Sequence, residues 1–140
     1  LLMSFDGVIG DALRPHHFCK PLPKRPEDLA ALREAAFSGN PKFFLGTDSA
    51  PHSREKKETC CGAAGVYSAA VALPVLVREF LAAGAIEKLS DFVGGFGADF
   101  YGLPRPEKTI KLVREPWVVP QEIHGVVPLA ASETLEWKLV

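Results

Sequence analysis

KFFLGTD, Lys42 to Asp48, decides the fold class of this 140-residue chain. A short continuous apolar run closed by a glycine is the pattern of a strand buried on both faces. Just upstream, PEDLAALREAAFSGN (Pro26 to Asn40) reads as a helix. Pro26 suits a first turn, Glu27 and Asp28 sit at the positive end of the helix dipole, and Gly39 fits the C-cap region. Leu29, Leu32, Ala36 and Phe37 are expected to share one apolar face. A helix followed by a fully buried strand is the alternation of an α/β protein with a parallel sheet. In such folds chemistry gathers where strands end at their C-terminal edge. Asp48 stands at that edge, with His52 four residues on.

Upstream, ALRPHHFCKPLPKRPEDL (Ala12 to Leu29) carries Pro15, Pro21, Pro23 and Pro26, a density that predicts a long ordered loop. Downstream, SREKKETCCGAAG (Ser53 to Gly65) reads as a polar loop closing on small residues, its lysines and arginine balanced by Glu55 and Glu58 on a solvated face. VYSAAVALPVLVREFLAAG has a strong helical pattern that Pro74 kinks unless it lies near the helix start. IEKLSDFVGGFGADFYGL predicts a short helix, a glycine-rich joint and another helical turn before Gly102. Its Phe92, Phe96, Phe100 and Tyr101 suit a core or a subunit contact. TIKLVRE and TLEWKLV alternate with period two and read as strands, with the Pro-rich PWVVPQEIHGVVPL between them as a loop.

Composition narrows the function classes. With 47% hydrophobic and 24% charged residues, the chain can build one real core. A net charge of −1 gives no electrostatic reason for a nucleic-acid or anionic-membrane partner. No apolar run reaches the roughly 18 to 20 residues of a bilayer span, and no signal peptide is expected. Cys19, Cys60 and Cys61 are odd in number and two are adjacent, which argues for free thiols and a reducing, cytosolic setting. His16, His17, His52 and His124 form no self-sufficient metal motif. The apolar opening LLMSFDGVIG reads as the middle of a longer chain.

Read from the residues alone, Asp48 has two roles open to it. A carboxylate past a buried strand can ligate a metal or act as a general base, or it can cap a turn. His52 after Pro51 can bind an anion or carry a proton, or be an ordinary loop residue. His16 and His17 are expected to orient their own loop, Cys60 and Cys61 to pack, and Arg14 to support the rim by ion pairing.

RPHHFCKPLPK, GTDSAPH and the loop ending CCGAAG, taken together, resemble the dihydroorotases of the standalone bacterial and fungal type, in the amidohydrolase superfamily. The similarity runs from about Ala12 to about Glu115 and more weakly to the C-terminus. It implies a TIM (β/α)8 barrel of the metal-dependent hydrolase type, of which residues 1–140 would be the C-terminal portion of a single domain ending in short strands. ALRPHHFC would lie around the seventh barrel strand, and KFFLGTD would be the eighth. The implied reaction is the reversible, zinc-dependent cyclisation of N-carbamoyl-L-aspartate to L-dihydroorotate in pyrimidine biosynthesis. On that mapping Asp48 is a ligand of a two-zinc centre and the general base, and His52 holds the substrate carboxylate. Ala64 contacts substrate from a loop of small residues, and Lys20 contacts it through backbone groups. The remaining metal ligands would lie upstream of Leu1, and the full-length protein would be a cytoplasmic homodimer.

Two other readings compete. One is a related cyclic amidohydrolase of the dihydropyrimidinase or allantoinase type, against which His52 and the Ala64 loop weigh, because they suit a ring bearing a carboxylate. The other is a non-catalytic dihydroorotase-like partner of aspartate transcarbamoylase, in which Asp48 and His52 would have little purpose. Because part of a closed barrel leaves open edges, these residues by themselves are expected to be inactive and poorly folded.

Overall fold

The computed structural model describes residues 1–140. It is a mixed helix and strand structure with helices α1 (Pro26–Phe37), α2 (Arg54–Lys57), α3 (Ala72–Ala82) and α4 (Phe96–Tyr101) and strands β1 (Leu112–Val118) and β2 (Thr134–Leu139). Short 3-10 turns occupy Phe5–Gly7, Pro15–His17 and Ile86–Lys88, and a π turn at Asp91–Gly95 runs directly into α4. No helix is long and apolar enough to cross a membrane.

The chain folds as two compact units. The first comprises Leu1–Ala30, Thr47–Ala72 and Val118–Thr134. Its interior is built by Val8, Val71, Val119, Leu129 and Ala130, all buried. Pro15–His17 turns over as a 3-10 helix within the Pro-rich stretch, as a segment with few backbone donors does. The Lys20–Pro21 peptide is cis.

The second unit comprises Ala31–Gly46, Leu73–Trp117 and Leu135–Val140. Its centre is Phe80 of α3, fully buried, with Phe37 edge-on at 4.7 Å and Phe92 tilted at 5.2 Å between ring centroids. Pro74 falls in the first turn of α3, where a missing N–H costs nothing, so the helix is not interrupted. Gly102 ends α4 at φ 64°, the left-handed C-cap that glycine provides without a Cβ clash.

Three expectations are corrected here. KFFLGTD is not a strand: no segment of this chain pairs with it, Phe43 is 45% exposed, and Phe44 packs instead on the rings of Phe100 and Tyr101. A strand exists only through its ladder, and here the Leu45 N–H donates to the Phe92 carbonyl at 2.9 Å. Leu32 does not share the buried face of α1 but is 54% exposed. At about 100° per residue it sits roughly 60° to one side of Leu29 and 140° from Phe37. β1 starts later than TIKLVRE and continues through Pro116, Trp117 and Val118, which read as loop. Pro116 is tolerated because the sheet has only two strands, so its missing N–H can face away from the ladder. The ladder runs antiparallel and is decorated by exposed Arg114–Glu136 and Glu115–Lys138 pairs at 3.1 and 2.9 Å.

Candidate functional site

All four residues singled out in the sequence, Lys20, Asp48, His52 and Ala64, lie in the first unit. Asp48 adopts φ 41°, a left-handed conformation that Asp and Asn tolerate better than most residues. It is fixed there from both sides. The Thr47 carbonyl accepts from Ser68 Oγ at 3.4 Å, and Ser49 Oγ accepts from the amides of Ser68 and Ala69 at 3.2 and 3.0 Å. The Ala50 amide donates to the Val66 carbonyl at 3.0 Å. The Asp48 carboxylate itself is exposed and makes no hydrogen bond or ion pair, so the turn-capping role is not the one it plays.

His52 is half-buried, and its Nε2 lies 3.1 Å from the Ala64 carbonyl oxygen. Because that oxygen can only accept, Nε2 carries a proton, and Nδ1 is the ring nitrogen left for a ligand. Two of the four residues are therefore in direct contact. Gly65, beside Ala64, is at φ 148°, and a Cβ there would stand 2.5 Å from the Ala50 carbonyl oxygen and 3.0 Å from His52 Cδ2. Glycine is what lets this loop approach the His52 segment.

The loop from Gly62 to Gly65 is held by a residue that the sequence reading placed on a solvated face. Lys57, at the end of α2, is 3% exposed. Its Nζ donates to the carbonyls of Phe18, Ala63 and Gly65 at 2.9, 2.8 and 2.6 Å and lies 5.9 Å from the Phe18 ring centroid. Burial pushes its pKa below the ordinary lysine value. The Gly65 amide adds a bond to the Phe18 carbonyl at 2.9 Å, so the Pro-rich segment and the small-residue loop are joined twice. In a run of alternating charges nothing distinguishes the lysine that turns inward. The one cue was the adjoining GAAG, whose carbonyls have no side chains of their own to cover them.

Lys20 is exposed, and no side-chain bond ties it to the cluster. Its neighbour Cys19 feels the site: burial raises the thiol pKa, the Lys57 charge opposes that rise, and the Asp48 charge adds to it. His16 accepts the supporting part expected of it, with Nε2 2.8 Å from Glu58 Oε1, and His17 Nδ1 lies 2.8 Å from the Gly7 carbonyl. The rim ion pairs are made by Arg54, to Glu58 at 2.7 Å and Glu122 at 3.2 Å, rather than by Arg14. The His16 contact, with help from Arg54, holds the Glu58 carboxyl below its usual range. Cys60 and Cys61 are free and exposed, not packed, with sulfurs 3.9 Å apart.

No group of three or more His, Cys, Asp or Glu side chains gathers anywhere in the 140 residues. A metal could be held here only together with donors from elsewhere, and the exposed, unbonded carboxylate of Asp48 has the chemistry to be one of its ligands.

No family model matches the sequence. Individual relatives do. Dihydroorotase of Acaryochloris marina is 47% identical over 144 residues, covering 100% of this chain and 42% of that protein. Dihydroorotase of Pseudomonas aeruginosa is 49% identical over 144 residues, covering 100% of this chain and 41% of that protein. Among solved structures, dihydroorotase from Campylobacter jejuni superposes with a TM-score of 0.88 at 42% identity, covering 99% of this chain and 42% of that one. Dihydroorotase from Saccharomyces cerevisiae in complex with 5-fluoroorotic acid gives 0.88 at 36% identity, covering 99% and 40%. The chain thus spans about two-fifths of the length of these proteins. Along its whole length, in sequence and in fold, the chain is similar to part of these dihydroorotases.

Proposed function

We propose that these residues form the C-terminal portion of an amidohydrolase (β/α)8 barrel and supply part of a dihydroorotase active site. The reaction is the reversible closure of N-carbamoyl-L-aspartate to L-dihydroorotate with loss of water. The observation that carries this reading is the fixed, unpartnered Asp48 carboxylate beside a His52 ring oriented by the Ala64 carbonyl. A chain kept only as a non-catalytic partner has no use for a strained backbone that presents an unbonded carboxylate.

In this reading Asp48 is one ligand of a two-zinc centre whose other ligands come from elsewhere in the protein. Zinc, when bound, polarises the amide carbonyl and makes water a better nucleophile at neutral pH. In the hydrolytic direction the Asp48 carboxylate accepts the proton of the attacking water and delivers it to the leaving ring nitrogen. In the biosynthetic direction the same oxygen takes the proton from the carbamoyl nitrogen. His52, with Nε2–H engaged by Ala64, offers Nδ1–H to the substrate carboxylate when the ring is charged. Ala64 and Lys20 touch substrate through main-chain groups, which suits an exposed Lys20 side chain with no bonded partner. The protein works on this small molecule in the cytoplasm as a homodimer.

The test is Asp48→Asn in the complete reading frame that carries these residues, assayed with dihydroorotate in both directions. Removal of the base lowers kcat by about 10²- to 10⁴-fold. Undiminished turnover by the variant, or no turnover by the parent protein, overturns the reading.

A further inference from the structure

Lys57 is an unusual residue to bury. Its ammonium has three N–H groups, and three carbonyl oxygens lie within 2.6 to 2.9 Å, so every donor is used. None of its partners is a carboxylate. The ammonium is thus held almost out of water by peptide dipoles and the Phe18 ring, with no carboxylate bonded to it. A buried unpaired charge is expensive, and a neutral donor or an apolar packing residue would tie two loops together more cheaply.

The arrangement of acceptors gives the charge a task. Lys57 takes the carbonyls of Ala63 and Gly65, and His52 takes the carbonyl of Ala64 between them. The two outer carbonyls are bonded to the ammonium and the middle one to the imidazole. With Ala63 and Gly65 both held by Lys57, the peptide unit between them has little freedom to turn its carbonyl away from His52. The third acceptor, Phe18, precedes Cys19 and Lys20, so the same ammonium anchors both backbone segments assigned to substrate contact.

We propose that Lys57 is the positioning residue of the substrate-carboxylate subsite: by clamping Phe18, Ala63 and Gly65 it directs the Ala64 carbonyl, and through it the His52 ring, toward the ligand. This rests on the dihydroorotase reading and adds to it a residue that touches neither substrate nor metal.

The experiment compares the parent protein, in its complete reading frame, with Lys57→Met, which keeps the side-chain length and removes the charge and the donors. Three quantities are read: kcat and KM for dihydroorotate, bound zinc, and the ¹⁵N signal of the His52 Nε2–H. The expected result is a KM raised at least tenfold with kcat changed less than threefold, zinc content unchanged, and loss of the hydrogen-bonded Nε2–H signal. An unchanged KM and an unchanged ring signal overturn the proposal. So does a uniform loss of zinc, kcat and folded protein in Lys57→Met if Lys57→Arg, which retains charge in a different donor geometry, restores both folding and KM. If the parent protein itself has no turnover, the dihydroorotase reading fails and the substrate assignment with it. The ring signal then decides alone whether Lys57 orients His52.

Discussion

Adding a single methyl group at Gly65 tests the geometry of the site most sharply. In Gly65→Ala the new Cβ stands 2.5 Å from the Ala50 carbonyl oxygen, 2.8 Å from Ala50 Cβ and 3.0 Å from His52 Cδ2. The first two neighbours are fixed to backbone, so neither swings aside. At φ 148° an L side chain also strains the main chain by about 1–3 kcal/mol. Overpacking adds about 1–3 kcal/mol more. We expect a net loss of about 3–4 kcal/mol, against a stability of about 5–15 kcal/mol for a typical protein. The variant therefore folds, but the loop must shift. That shift weakens the Gly65 amide bond to Phe18 and the Lys57 bond to the Gly65 carbonyl, and it displaces His52. In the complete reading frame urea unfolding reads the first effect; on the proposed function, KM for dihydroorotate reads the second and should rise by tenfold or more. Gly46→Ala is the control, since a Cβ there meets nothing within 4 Å and the φ is not positive. A Gly65→Ala protein within about 1 kcal/mol of the control, with an unaltered KM, would refute the close approach of the loop to the His52 segment.

Other outcomes follow from features elsewhere. Asp48→Asn should leave the unfolding free energy from urea titration within about 0.5 kcal/mol of the parent, because the carboxylate makes no internal bond and Asn tolerates a left-handed φ. Asp48→Ala should cost about 1 kcal/mol for the same backbone, and the difference between the two variants is the measurement. Phe80→Ala, in the centre of the second unit, should cost about 3–5 kcal/mol in the same assay. Arg105 bonds Asp99 and Asp91, and the Arg105 hydrogen bond holds the Asp99 carboxyl below its usual value. A depressed folded-state pKa stabilises above the unfolded value and is lost as pH falls through the folded one. The stability advantage of the parent over Arg105→Gln should therefore be present at pH 7 and shrink below about pH 4.

The helices α1, α3 and α4 were legible because their signals are local, whereas α2 fell in a stretch read as a loop and the helical turn Asp91–Gly95 in one read as a glycine-rich joint. Pro26, Glu27 and Asp28 open α1, Gly102 closes α4, and the apolar stripe of α3 buries as its spacing predicts. KFFLGTD misled because its pattern reports burial, whereas a strand needs a partner that no pattern supplies. Asp48 and His52 could be singled out as candidates by residue type and position, yet the pattern alone left a turn cap open for Asp48. Only the bonds of Thr47 and Ser49 to Ser68 and Ala69 show that the carboxylate is left unused by the fold. Lys57 was not legible. Lys56 and Lys57 are identical in type and adjacent in sequence, and one residue of helical rotation separates a surface charge from a buried one.

That adjacency has a practical side. Lys56 is open to solvent while Lys57 is sealed, so the pair is a reactive amine next to a protected one in adjacent positions. In the native protein an acylating reagent should modify position 56 at its intrinsic rate and position 57 only when the loop comes away from its ammonium. The ratio of the two products, read by mass spectrometry, is a clock for how often the Gly62–Gly65 loop lets go. The neighbouring lysine serves as its internal standard, and the clock needs no mutation.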